Sequence, residues 1–405
     1  MSEVLKSKRI LIYSHDSFGL GHLRRCRAIA HALVERFKGL TVLILSGSPI
    51  IANFDFRARV DFIRIPGVIK LYNGDYTSMN LHIDLKETLT IRESIIRHTA
   101  QAFGPDILLV DKEPLGLMGE MADTLKMLRS TKTRLILGVR DVMDDPDYLK
   151  EEWANGEAIN AMENLYDEIW VYGHEQFIDP LDTLDVPPAV REKMTFTGYL
   201  QRDLPKDHNL PKALDISKPY MLVTAGGGGD GLTMMDWVVR AYESGSELPY
   251  PALIVLGPFM PHEVRYQFMA RCHDLDQVHT ITFDSRMEVL IANAACVVAM
   301  AGYNTFCEVL SFDRPALFIP RTSPRKEQLV RAIRASELGL SGMLVLDREM
   351  NTTIMVQALR SLAERPAPST ALNPGMLGGL TAIGDIVHQH LGEWLDAEGA
   401  VDASE

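Results

Sequence analysis

Residues 297–328 read VVAMAGYNTFCEVLSFDRPALFIPRTSPRKEQ, and the order of chemistry along this stretch decides the fold. An apolar run from Ala294 to Met300 leads into an Ala301-Gly302 turn. A short helix follows, then a second apolar run from Pro315 to Pro320 and a polar loop. Short continuous apolar runs separated by helices are the mark of parallel strands buried on both faces. Gly302 lets the backbone turn without a Cβ penalty. Asn304 and Thr305 are expected to cap the helix that carries Glu308. In open α/β sheets, ligands sit beyond the carboxyl ends of the strands. Glu308 and the pair Glu327-Gln328 each follow such a run, so they are expected at one crevice. Their chemistry suits a polyhydroxylated ligand, because a carboxylate accepts from vicinal hydroxyls and an amide both donates and accepts.

The same alternation runs along the whole chain. Arg9 to Ser14 reads as a buried strand, followed by the loop from His15 to His22 and a helix through Lys38. Further strands are expected at Thr41–Ser46, Arg57–Ile65, the run ILLVD ending at Asp111, Arg134–Val139 and Glu168–Tyr172, with a helix at Leu85–Phe103. Asp203 to Pro219 holds three prolines and no periodicity, as a linker should. Beyond it come strands at Tyr220–Thr224, Ala252–Leu256, His279–Phe283, Cys296–Met300 and Ala316–Ile319. The fold class is therefore α/β, with two Rossmann-like, doubly wound domains facing a central cleft. The domain expectation is 1–203, then 204–375, then a helix at 376–391 crossing back to the first domain, then an acidic tail at 392–405.

A chain of 405 residues is too long for one ordinary core, which agrees with two domains. The net charge of −13 argues against nucleic acid as a partner. The four cysteines, Cys26, Cys272, Cys296 and Cys307, have neither zinc nor CxxC spacing and read as reduced thiols of a cytoplasmic protein. The amino-terminal segment is too short and too charged for a targeting or membrane segment. Peripheral contact with the inner face of a membrane is the expectation only for a lipid-linked ligand, through an apolar patch at Leu115 to Met118.

Two glycine-rich turns carry the candidate chemistry. In the first, Gly19 and Gly21 begin a dinucleotide-like pattern, but Arg24 stands at the third glycine position and the second strand ends in Ser46 rather than an acid. That argues against a nicotinamide site. What remains is His22 at a helix amino terminus with Arg24, Arg25 and Arg27 close behind, a setting that favours an anion. The positive helix end also lowers a histidine's affinity for a proton, which suits a general base. Asp111, at the end of its strand, is a further candidate for this site, or for a local ion pair. In the second turn, Gly226, Gly227, Gly228 and Gly229 expose backbone N–H groups that can cradle a phosphate. It lacks the lysine of a P-loop.

These residues together resemble the GT-B glycosyltransferases, closest in pattern to the MurG-like enzymes with a family 28 C-terminal domain. The resemblance runs over about residues 9–345, through the loop ending in Gly21-His22, Gly198 with Arg202, the glycine loop, and the Ala301-Gly302 turn with Glu308, Pro320 and Gln328. It implies a sugar transferred from a nucleotide-diphosphate donor, UDP in those enzymes, with inversion and without a metal or cofactor. It implies that Glu308 holds the donor's ribose, Gln328 reaches the sugar, Arg202 and the glycine loop serve the diphosphate, and the loop after Phe283 lines the base pocket. His22 would then activate the hydroxyl of a sugar, lipid-linked or small-molecule acceptor, as in cell-envelope polysaccharide synthesis. Leu20-Gly21 stands where those enzymes have two glycines before the histidine, which leaves the acceptor open. Two other readings share the fold: an isomerase like the UDP-N-acetylglucosamine 2-epimerases, and a non-catalytic nucleotide-sugar-binding subunit of a two-chain transferase.

Overall fold

A computed structural model of the chain describes residues 8–15, 20–70, 75–204, 210, 219–227, 229–323, 325–346 and 349–392. Contacts divide the chain into two units, Met1–Leu200 with Gly378–Glu405, and Gln201–Leu377.

Unit 1 is built on a seven-stranded sheet of parallel pairs. Its strands are β1 (Lys8–Ser14), β2 (Leu40–Ser46), β3 (Val60–Arg64), β6 (Ile107–Asp111), β7 (Arg134–Arg140), β8 (Glu168–Tyr172) and β9 (Met194–Phe196). Between β3 and β6 lies an antiparallel hairpin, β4 (Val68–Lys70) and β5 (Tyr76–Ser78). The helices are α1 (Gly21–Arg36), α2 (Leu85–Phe103), α3 (Ala122–Arg129), α4 (Pro146–Glu152), α5 (Glu157–Asn164) and α6 (Pro188–Arg191). Helix α2 has the bounds that its periodicity predicts. The Asp84 side chain caps its first turn by accepting from the Glu87 N–H, and Gly104 ends it at φ 56°. Strand order is β3-β2-β1-β6-β7-β8-β9, so the winding reverses between β1 and β6. In open α/β sheets such a switch point is where ligands sit, at the carboxyl ends of the two strands.

Unit 2 repeats the plan with a six-stranded sheet in the order β12-β11-β10-β13-β14-β15, again of parallel pairs. Its strands are β10 (Met221–Thr224), β11 (Ala252–Val255), β12 (Val278–Ile281), β13 (Cys296–Ala299), β14 (Ala316–Phe318) and β15 (Gly342–Met343). The helices are α7 (Leu232–Glu243), α8 (His262–His273), α9 (Met287–Asn293), α10 (Tyr303–Ser311), α11 (Glu327–Glu337) and α12 (Thr352–Ala363). The switch point here falls between β10 and β13, where the glycine loop and the Ala301-Gly302 turn begin. The apolar runs of both sheets form the two cores: Leu11, Leu108 and Leu137 lie in one, Met221, Val223 and Val298 in the other.

The chain returns to unit 1 as α13 (Gly379–Leu391), which packs on α1. Arg36 donates to Asp385 Oδ1 at 2.6 Å, and Phe37 stacks on His388 with ring planes 6° apart. Gly379 has to be glycine, because a Cβ there would stand 2.5 Å from the Gly198 carbonyl oxygen. The acidic tail lies outside the described residues from position 393, as does most of the Asp203–Pro219 linker.

Some expectations need correction. Strand β3 begins at Val60 rather than Arg57, and β12 ends at Ile281, which puts Phe283 in the loop beyond it. The patch proposed at Leu115 to Met118 is not a continuous apolar surface. Leu117 is buried and Leu115 packs against the unit 1 core, which leaves Met118 exposed.

Candidate functional site

In unit 1 the switch point brings α1 and β6 together. His22 is the second residue of α1, and its Nδ1 lies 2.5 Å from Oδ2 of Asp111, the last residue of β6. Asp111 is 1 % exposed, yet its carboxyl is held well below the usual carboxylate range. Burial by itself pushes the other way; the Arg25 charge outweighs it, helped by His22. An ionised carboxylate only accepts, so His22 Nδ1 carries the proton of this contact.

Arg25 completes the arrangement. Its Nε and Nη2 donate to Asp111 Oδ1 at 2.9 and 2.7 Å, and Nη2 also reaches Oδ2 at 2.8 Å. Nη2 stands 3.0 Å from His22 Nδ1 as well, but both are donors there, so that approach is not a hydrogen bond. Arg25 is 1 % exposed. This corrects its expected role as a phosphate contact: the guanidinium is enclosed and committed to Asp111, so Arg25 is a positioning residue. Asp111 makes the local ion pair that is the other expectation for it, with Arg25 and His22. Below Arg25 lies the Tyr172 ring, 5.8 Å from Cζ. Gly138 of β7 makes room for it, since a Cβ there would fall 2.0 Å from Tyr172 Oη.

Gly21 opens α1 and Gly19 lies outside the described residues. Arg24 is half-buried in the first turn, and Arg27 Nε donates to the Asp55 carbonyl at 2.8 Å. Two further residues lie beside the pair. His15, just past β1, sets its ring edge-on to His22 with centroids 5.6 Å apart. Lys112 follows Asp111 at φ 74°, a conformation that costs a non-glycine residue about 1 kcal/mol or more, and its Nζ pairs with Glu113 at 2.7 Å.

In unit 2 the second switch point gathers the remaining candidates. Helix α10 begins at Tyr303 with Gly302 as its N-cap, and no side chain caps it. Asn304 and Thr305 therefore lie inside the first turn rather than before it, which corrects their expected capping role. The Asn304 side chain instead accepts from Arg202 Nη2 at 2.8 Å. Arg202 is itself buried, with Nη1 lacking a hydrogen-bond partner. Its backbone N–H donates to Ser311 Oγ at 3.0 Å. Arg202 thus lies behind the α10 amino terminus and orients the Asn304 amide. Glu308 is enclosed on the same helix at 1 % exposure.

Glu327 is the first residue of α11, and Gln328 the second. Arg321 joins them to the glycine loop: its guanidinium pairs with Glu327 and with Asp230, and its backbone N–H approaches Gln328 Oε1 at 3.4 Å. Gly226 takes φ +66°, and an added Cβ would meet nothing within 4 Å at either Gly226 or Gly302. Gly227 packs under the Phe259 ring, and Gly229 is exposed, while Gly228 lies outside the described residues. Phe283 is half-buried. Among the described residues, no group of three or more His, Cys, Asp or Glu could hold a metal ion, and no helix is long and apolar enough to cross a membrane.

Residues 241–373 match the model of the glycosyltransferase family 28 C-terminal domain. Among curated proteins nothing matches the sequence. Solved structures that match over nearly their whole length include a UDP-glucosyltransferase from Polygonum tinctorium, with TM-score 0.64 and 13 % identity, covering 95 % of this chain and 99 % of that one. MurG from Acinetobacter baumannii matches with TM-score 0.60 and 12 % identity, covering 94 % and 99 %. A putative UDP-N-acetylglucosamine 2-epimerase from Listeria monocytogenes gives TM-score 0.61 and 16 % identity, covering 95 % and 97 %. The chain has the GT-B fold of glycosyltransferases, and its second unit carries the stretch similar to the family 28 C-terminal domain.

Proposed function

We propose that this chain transfers a sugar from a UDP-activated donor to a hydroxyl acceptor, with inversion at the anomeric carbon and without a metal. The observation that carries the reading is the hydrogen bond from His22 to Asp111, because a binding subunit has no need of a buried carboxylate that holds an imidazole in one tautomer. With Nδ1 committed, Nε2 takes the acceptor's proton as the acceptor oxygen attacks the anomeric carbon. The bond from that carbon to the diphosphate breaks, and its electron pair leaves with the phosphate oxygen. General-base assistance of this kind is worth ~10²–10⁴-fold in rate.

The leaving diphosphate needs its charge stabilised. The open backbone at Gly226 and Gly302, with the amino terminus of α10, can do this through fixed dipoles. Glu308 would accept from the ribose hydroxyls and Gln328 would meet the sugar.

The deciding experiment incubates the protein with UDP-sugars and a panel of hydroxyl acceptors, with and without a chelator, and follows UDP release and product stereochemistry. Transfer that survives the chelator and gives the inverted linkage supports the proposal. Interconversion of the sugar with no acceptor would replace it with an isomerase. UDP binding without turnover until a second chain is added would replace it with a subunit of a two-chain transferase.

A further inference from the structure

Arg321 is the residue on which the separate pieces of the unit 2 site converge. It stands in the loop after β14, at the carboxyl end of the sheet. Its Nη1 pairs with Asp230, which closes the glycine loop, and its Nη2 pairs with Glu327 at the start of α11. Its main-chain N–H faces Gln328. The two carboxylates differ. Glu327 is 6 % exposed at its side chain and Asp230 is 42 % exposed. An ion pair with a carboxylate that open to water is weakly held. The inner pair orients the guanidinium; the outer one is replaceable.

A guanidinium fork recognises carboxylate and phosphate by the same two-point geometry. Asp230 meets the guanidinium through one oxygen at Nη1, a contact a phosphate oxygen can make equally, beside a glycine loop with open backbone at Gly226. Arg321 Nε is buried with no hydrogen-bond partner, so one of its donors is unmet in this arrangement. Arg202, the cation expected for the diphosphate, is enclosed behind Asn304.

We propose that Arg321 binds the diphosphate of the donor, and that Asp230 holds it in the empty site and yields it when the nucleotide enters. This rests on the reading of unit 2 as a nucleotide-sugar site, and it names the residue and the exchange by which that site takes its charge.

Calorimetric titration of UDP, and separately of uridine, into the full-length chain tests it, using Arg321→Gln and Asp230→Asn. Arg321→Gln should weaken UDP by about tenfold to a hundredfold, the loss of a charge-assisted hydrogen bond, and leave uridine unchanged. Asp230→Asn removes the competitor and should tighten UDP several-fold, again without moving uridine. A purely structural clasp predicts the reverse for Asp230→Asn, with UDP and uridine weakened alike, and that result overturns the proposal even if Arg321→Gln does not fold. UDP binding unchanged in both variants overturns it as well while leaving the nucleotide-sugar reading intact. No binding of UDP by the unsubstituted protein would remove both.

Discussion

His22 Nδ1 meets Asp111 Oδ2 at 2.5 Å across 89 positions of sequence, with Arg25 bridging the same carboxylate from the other side. Substitutions at the two ends of this contact should separate catalysis from stability. His22→Ala removes the base from a half-buried position, so turnover should drop by ~10²–10⁴-fold while UDP binding and the thermal midpoint hold. Asp111→Asn should slow turnover by as much as ~10⁴-fold through the wrong tautomer. It should also destabilise unit 1 by about 3–5 kcal/mol, since Arg25 is left as a buried charge without its counter-ion. Turnover rates paired with denaturant midpoints check this. Full activity in His22→Ala would remove the histidine from the reaction.

The same carboxylate makes stability depend on pH in a defined direction. Its folded pKa is depressed, chiefly by Arg25 acting against the cost of burial. On acidification the unfolded chain therefore binds the proton first, from the ordinary aspartate value of about 4 downward. The contribution is complete above that value and is lost as the pH falls toward the folded pKa. Urea midpoints measured from about pH 6 down to about pH 3 should fall more steeply for the unsubstituted chain than for Asp111→Asn, so that the gap between them narrows. A gap that stays constant would mean Asp111 is not the titrating group.

Much of the fold was legible because parallel strands buried on both faces leave continuous apolar runs, as in ILLVD before Asp111. The short hairpin of β4 and β5 and the small helices α4 to α6 carry too few residues for a period to show. The site was legible by residue type more than by partnership. Asp111 and His22 were both visible as candidates, but only the sheet order puts β1 and β6 side by side and so makes them a pair. Arg25 looked like one more cation of a basic helix turn, and its burial depends on Gly138 admitting the Tyr172 ring beneath it. Asn304 and Thr305 are good capping types, yet the helix starts two residues earlier than a cap at Asn304 allows. Arg321 had no local signal at all, because its partners at Asp230 and Glu327 lie on different loops.

Glu308 offers a test of nucleotide recognition that keeps the packing intact. Glu308→Gln is nearly isosteric, so the enclosed helix position stays filled. The substitution removes charge-assisted hydrogen bonds worth ~1.5–3 kcal/mol, a loss of about tenfold to a hundredfold in UDP affinity. The loss should shrink for a nucleotide that lacks the ribose 2′- and 3′-hydroxyls, since those are the groups the carboxylate would accept from. An equal loss for both nucleotides would show Glu308 to be structural only.

Gly302 separates what the fold needs from what a ligand needs. Its backbone, φ −66° and ψ 146°, is open to any residue, and an added Cβ would touch nothing within 4 Å. Nothing in the fold therefore requires glycine at this helix cap, and Gly302→Ala should change stability by less than about 1 kcal/mol. The space above the α10 amino terminus is what a phosphate would enter, drawn by the positive end of the helix dipole. A methyl group there should weaken UDP by roughly 1–3 kcal/mol, the usual scale of an overpacked contact. Uridine, which does not reach that space, should bind as before. If UDP binds Gly302→Ala as tightly as it binds the unsubstituted chain, the diphosphate does not lie over α10, and its seat must be sought along the glycine loop alone.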